Sequence, residues 1–374
     1  MNLEDLELLQ TLSGLPGIAG HEDAVIAWMK DQMSRMGAEV RVDFLGNVIA
    51  RIPGRSANAP RVMVFAHMDE IGFMVRRIED NGLLRIERVG GVPEKSLQGQ
   101  AVMVWGAQRL LPGVIGTRSH HLTPPEERLR IPPFDELYVD VGARDRQEAE
   151  QLGIRVGTPI TYAPRFYRLA GGRVAGKALD DRAGCWVLLK VLKHILEDPV
   201  PPEVFLVATV QEEFHLQGAL VAAKAIQPHL AICIDIAAAT DTPDLAGKGE
   251  IALGKGPVIQ TFTFHGRGSL LGLIPNPRLV EAVARIAAQA GIPHQFGVFR
   301  GGLTDASYLH LAGSGVPAID IGIPTRYTHS PLETCSEEDL QHTVALILEW
   351  VAALSTLPDL QRGHLVYMTD FKME

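Results

Sequence analysis

The chain has 374 residues, 46% of them hydrophobic and 21% charged, the proportions of a soluble globular protein with a sizeable core. A chain of this length suggests about two domains. Lysine and arginine number 35 against 44 aspartates and glutamates, a net charge of −9, which excludes the basic surface of a nucleic-acid binder.

The opening MNLEDLELLQ is acidic and amphipathic, unlike a secretory signal. No run of about 18 apolar residues suits a membrane span, so a cytoplasmic protein without membrane partners is expected. Leu3, Leu6, Leu8 and Leu9 predict a short helix, and Val25, Ile26, Met29, Met33 and Met36 a second one stopped by Gly37. Strands follow in AEVRVDF, NVIARI and RVMVFA, separated by turn residues such as Gly46-Asn47.

Between Gly72 and Arg168 short β-like runs alternate with Gly and Pro, and only DRQEAEQL reads as helical. Beyond it, helices and near-continuous apolar strands alternate: AGCWVLLKVLKHIL, EVFLVATV, GALVAAKAI, LAICIDI, PRLVEAVARIAAQAG, VPAIDIGI and EEDLQHTVALILEWVAAL. Such strands belong to a sheet covered on both faces. The expected class is α/β, a mixed sheet between helices, with residues 1–68 and 169–374 forming one discontinuous domain and 69–168 an inserted small β-rich domain. Cys185, Cys233 and Cys335 have no paired spacing and read as reduced thiols.

Five places put ionisable side chains at strand ends, where open α/β sheets bind ligands. His67 and Asp69 close one strand, and their i, i+2 spacing points both to one side. Asp180 and Asp181 precede a helix, whose capping accounts for one of them but not two. Glu212 and Glu213 end the most apolar strand, where paired like charges require a cation or strong donors. Asp235 stands in an apolar run, where an unpaired carboxylate is costly. His329 lies on a loop after a strand. Each alone has an ordinary structural explanation; together they form a nitrogen and oxygen donor set suited to Zn²⁺, Co²⁺ or Mn²⁺.

The segments AHMDEIGFMV, GKALDDRAG, VQEEF, IDIAAATDTP, GGLTDASYLH and PTRYTHSPLE resemble the motifs of the glutamyl and deblocking aminopeptidases, dinuclear metallopeptidases that assemble into tetrahedral particles. The similarity runs in order along nearly the whole chain. It implies two divalent ions per subunit, bridged by Asp180, with His67 and Asp235 completing one and Glu213 and His329 the other. Glu212 would be the general base for the water between the ions, and Asp69 would orient His67 by accepting its second ring N–H. The family further implies that the β insertion joins subunits, with dimers assembling into a dodecamer whose sites face an internal chamber. Two departures, the acidic DTPD stretch at Asp241 to Asp244 and Leu303 within GGLTDA, bear on loop shape or substrate preference.

The expected function is therefore metal-dependent removal of the amino-terminal residue from peptides. Two rival readings are a glycoside hydrolase using a pair such as Glu212 and Asp180 across a sugar ring, which leaves both histidines and Asp235 unused, and a catalytically idle metal-binding assembly protein.

Overall fold

The computed structural model describes residues 1–56, 58–266, 271–355 and 360. Helices α1 (Leu3–Gly14) and α2 (Asp23–Arg35) open the chain and lead to β1 (Glu39–Val42), β2 (Val48–Ile52) and β3 (Arg61–His67). Asn2 caps α1 by accepting the Asp5 N–H at 2.8 Å. Residue for residue, β3 is apolar and buried from Val62 to Ala66, the signature of a strand covered on both sides.

The chain then leaves this sheet. Strands β4 (Gly72–Ile78), β5 (Leu84–Val89), β6 (Ala101–Trp105), β7 (Leu110–Ile115) and β8 (Tyr138–Asp140), helix α3 (Arg146–Gln151) and strand β9 (Pro159–Tyr162) follow. The six strands close into a barrel in the order β4-β5-β8-β7-β6-β9. Its own core includes Phe73, Ile86, Val104, Val139 and Ile160. The DRQEAEQL helix is α3, and Asp145 caps it through the Glu148 N–H at 2.8 Å.

Strands β10 (Phe166–Leu169) and β11 (Arg173–Gly176) return to the large sheet. Next come α4 (Leu179–Glu197), β12 (Glu203–Thr209), α5 (Glu212–His215), α6 (Gly218–Ile226) and β13 (Leu230–Ala238). The remainder is β14 (Val258–Phe264), β15 (Gly272–Leu273), α7 (Pro277–Gln289), β16 (Gln295–Arg300), α8 (Ala306–Leu309), β17 (Ala318–Arg326), β18 (Glu333–Ser336) and α9 (Glu337–Ala353). Among the described residues the large sheet has twelve strands, in the order β1-β2-β12-β3-β13-β17-β18-β11-β10, with β14 pairing β17 and carrying β15 and β16.

Its centre, β12-β3-β13-β17, is parallel. One face is covered by the apolar sides of α1, α2, α4, α7 and α9, including Leu9, Met29, Trp186, Leu279 and Trp350. Ala219, Ala222 and Ala223 of α6 and Ala306 and Leu309 of α8 cover the other. The class is α/β with a mixed sheet between helices. Strands β14, β16 and β18 have no counterpart in the chain-order reading, because their Thr, Gln and Gly content breaks up the apolar run that marks the central strands.

A buried ion cluster lies where the chain crosses between sheet and barrel. Lys177 Nζ meets Glu70 Oε2 at 2.6 Å and the Leu15 carbonyl at 3.2 Å, while Glu70 Oε1 also accepts the Gly17 N–H at 3.0 Å. Arg182 donates to the carbonyls of Met68 and Leu12 alongside.

Candidate active site

Four neighbouring strand ends meet above the sheet. His67 is the last residue of β3 and pairs in register with Thr209 at the end of β12. Just beyond Thr209, Gln211 takes a left-handed backbone, φ 58°, and turns the chain into α5 so that Glu212 and Glu213 face His67. Asp235 comes from β13, and His329 from the turn between β17 and β18. At the start of α4, Asp181 caps the helix by accepting the Gly184 N–H at 3.0 Å, which leaves Asp180 to the cluster.

Asp180 stands between the two imidazoles. Its Oδ1 lies 3.1 Å from His67 Nε2 and its Oδ2 3.4 Å from His329 Nε2. His329 Nε2 also lies 3.6 Å from Glu213 Oε1, and Glu212 Oε2 is 4.0 Å from His67 Nε2. Potential donor atoms form three sets, each with all members within 4.8 Å of one another: His67, Asp180 and Asp235; His67, Glu212 and Glu213; and Asp180, Glu213 and His329. Six of the residues singled out from the sequence, His67, Asp180, Glu212, Glu213, Asp235 and His329, thus adjoin one another, and the two histidines share one carboxylate.

Asp69 sits differently from the expectation of a simple His67 partner. The atom nearest His67 Nδ1 is the Asp69 backbone oxygen at 3.1 Å, with the carboxylate Oδ1 at 3.5 Å. The carboxylate accepts two backbone N–H groups, those of Glu212 at 3.0 Å and Glu213 at 2.9 Å. Asp69 therefore ties the end of β3 to the first turn of α5.

Burial dominates the electrostatics of the carboxylates. It pushes the carboxyl of Asp235 well above its ordinary range, reinforced by the charge of Asp180, and raises Glu212 in the same way. Burial likewise lifts Glu213 to about 7. At Asp180 burial is outweighed by hydrogen bonds from His329 and His67, which hold it low. Burial also disfavours a charged His67, but Asp180 and Asp69 prevail and raise it. A nest of buried carboxylates and imidazoles short of positive charge is a donor set that fits hard or borderline divalent cations.

Two anchors carry no sequence signal. Glu333, at the start of β18, accepts the Asp180 N–H at 2.9 Å with one oxygen and the His329 N–H at 2.7 Å with the other. Glu22, preceding α2, accepts the Gln211 N–H at 3.1 Å beside the carboxylate pair. Glu333 is an isolated acid and Glu22 stands beside Asp23 ahead of a helix, where capping explains the pair, so only the fold reveals their partners.

The cluster opens on a cavity of about 580 Å³, bounded beyond the acids by Phe214, Leu216, Ile236, Phe299, Leu303 and Tyr308 among others. The model of the M42 glutamyl aminopeptidase family matches residues 46–346, a span that contains every residue of the cluster. The chain belongs to that family. Among its relatives, SgcX of Escherichia coli (strain K12), whose name assigns it an aminopeptidase activity only provisionally, is 42% identical over 93% of each chain. The solved structure of aminopeptidase APDkam598 from the archaeon Desulfurococcus kamchatkensis superposes with a TM-score of 0.87 at 38% identity, covering 94% of this chain and 95% of the other. TET1 peptidase of Pyrococcus horikoshii, described as able to assemble into a tetrahedron or a large octahedral shell, superposes with a TM-score of 0.83 at 32% identity over 94% of this chain and 100% of its own. No helix among the described residues is long and apolar enough to cross a membrane.

Proposed function

We propose that this M42 family member is a metal-dependent aminopeptidase that removes the amino-terminal residue of peptides in the cytoplasm. The observation that carries the reading is the convergence of His67, Asp180, Glu213, Asp235 and His329 with Glu212 beside them, all but His67 lining one cavity.

His67, Asp180 and Asp235 would hold one divalent ion, and Asp180, Glu213 and His329 a second, with zinc or cobalt favoured and manganese compatible with the same donors. Ions held there would supply Lewis-acid polarisation of the scissile carbonyl and a water acidified to near neutrality. Glu212, whose burial disfavours its charged form, would take a proton from the attacking water and return it to the leaving amine. Asp69 holds Glu212 and Glu213 by their backbone N–H groups and flanks His67. Deletion of any one of these would disturb the geometry of the rest.

Residues 69–168, containing the barrel, are proposed as an inserted oligomerisation domain through which dimers form and build a dodecamer. The assemblies described for TET1 peptidase support a large homo-oligomer. Three buried cysteines with free thiols suit a reducing compartment. The glycoside hydrolase reading is not favoured, since it gives no task to His67, His329 or Asp235.

Glu212→Gln tests the mechanism on a panel of aminoacyl p-nitroanilides. Near-complete loss of turnover with metal content retained is expected, and unchanged turnover removes Glu212 from the reaction. Activity that survived exhaustive chelation would overturn metal dependence, and a monomer in sedimentation would overturn the assembly.

A further inference from the structure

An aminopeptidase places one side chain on the amino side of the bond it cuts, so the wall nearest the acidic cluster meets that side chain. This wall is apolar. Ile236 directly follows Asp235, Leu216 follows the short helix that bears Glu212 and Glu213, and Phe299, Leu303 and Tyr308 line the same cavity. Apart from the cluster itself, the described lining residues include no carboxylate, lysine or arginine; the polar rings are His215, His265 and Tyr308.

The segment carrying Leu303 is built to hold it still. Gly301 donates its N–H to the Phe264 carbonyl at 2.8 Å. At Gly302 a Cβ would come within 2.3 Å of the Phe299 ring, so a side chain there would have to push that ring aside. Leu303 is thus the first side chain this segment offers the cavity. The next two residues turn inward: Thr304 Oγ1 donates to Asp320 Oδ1 at 2.8 Å, and Asp305 Oδ2 accepts the Thr209 hydroxyl at 2.7 Å. Thr209 ends β12, three residues before Glu212, so the wall and the proposed base hang from one strand end.

We infer that Leu303 is a specificity-determining residue, its isobutyl group together with Ile236 and Leu216 of the same cavity selecting substrates whose amino-terminal side chain is neutral and apolar. This rests on the aminopeptidase reading. A side chain such as leucine or methionine sheds water against that wall, whereas a glutamate or lysine side chain gives up its hydration there and meets, among the described lining residues outside the acidic cluster, no lysine, arginine or carboxylate. Pocket complementarity of a few methylenes is worth about tenfold to a hundredfold in selectivity.

The test compares leucine, methionine, glutamate and lysine p-nitroanilides at pH 8, using the metal-loaded full chain. For the wild type kcat/KM is expected to be at least tenfold higher on leucine and methionine than on the charged pair. Leu303→Ala should raise KM for leucine p-nitroanilide about tenfold with kcat within threefold, and Leu303→Lys should shift preference towards glutamate. Wild-type preference for glutamate or lysine, or an unaltered ranking in both variants, would overturn the inference. Absence of hydrolysis on all four with metal bound would instead strike the aminopeptidase reading, and this one with it.

Discussion

Glu333 holds Asp180 by its backbone: one carboxylate oxygen accepts the Asp180 N–H at 2.9 Å, while the other accepts that of His329 at 2.7 Å. A single buried side chain thereby sets the distance between the residue shared by both histidines and one of those histidines. Outer partners of this kind commonly change metal affinity by about 10–100-fold when lost. Glu333→Gln keeps the volume but turns one acceptor into a donor facing an N–H. The expected outcome is a drop in zinc or cobalt affinity within that range, read by competition with a chromogenic chelator, with secondary structure unchanged. Equal affinity would show that the two loops hold their positions without it.

Asp69 performs the corresponding task on the other side, gathering the N–H groups of Glu212 and Glu213. Asp69→Asn retains the shape and one acceptor but loses the charge that both donors face. We expect kcat to fall by about one to two orders of magnitude while circular dichroism stays native, because Glu212 and Glu213 no longer share a fixed origin. A kcat within twofold of the wild type would confine Asp69 to a structural role.

How much of this was readable beforehand follows from where each partner lies in the chain. The His67 and Asp69 pair declares itself by i, i+2 spacing after an apolar strand, and the doublets at Asp180 and Glu212 by two acids where one cap suffices. Asp235 stands out as a charge inside a hydrophobic run. Glu333 and Glu22 carry no such local contrast: beside a nearby N–H, each accepts one from 153 and 189 residues away, that of Asp180 and that of Gln211, and these tie them to the site. The barrel was legible as a β-rich texture, but its closure depends on β4 pairing β9, a long-range register that alternation of residue types does not specify. The central parallel strands, apolar throughout, were the plainest of all.

The Glu70 and Lys177 pair ties the segment leading into the barrel to the link between β11 and α4. Burial lowers the ammonium of Lys177 to about 8, against the pull of Glu70. Removing one partner of a fully buried pair leaves the other charge uncompensated and costs about 3–5 kcal/mol. Lys177→Met should therefore lower the urea midpoint strongly, and Glu70→Gln in the same background should recover part of the loss. An unchanged midpoint for the single variant would mean that water or Arg182 takes over the charge of Glu70.

Glu22 makes stability depend on pH in a direction opposite to most carboxylates. Burial first, then the charge of Asp69, raises its pKa from 4.5 to about 7, despite accepted N–H groups from Gly20 and Gln211. A raised acid favours folding in its protonated form. The contribution is fully present below the unfolded value of 4.5 and is lost as pH rises through about 7. Glu22→Gln keeps an acceptor for both N–H groups and cannot ionise, so it should match the wild type near pH 4.5. Above pH 8 it should exceed the wild type by about 2–3 kcal/mol, measured by paired urea titrations across that range. A constant difference between the two proteins from pH 4.5 to 8 would mean that Glu22 keeps an ordinary carboxylate pKa in the folded state.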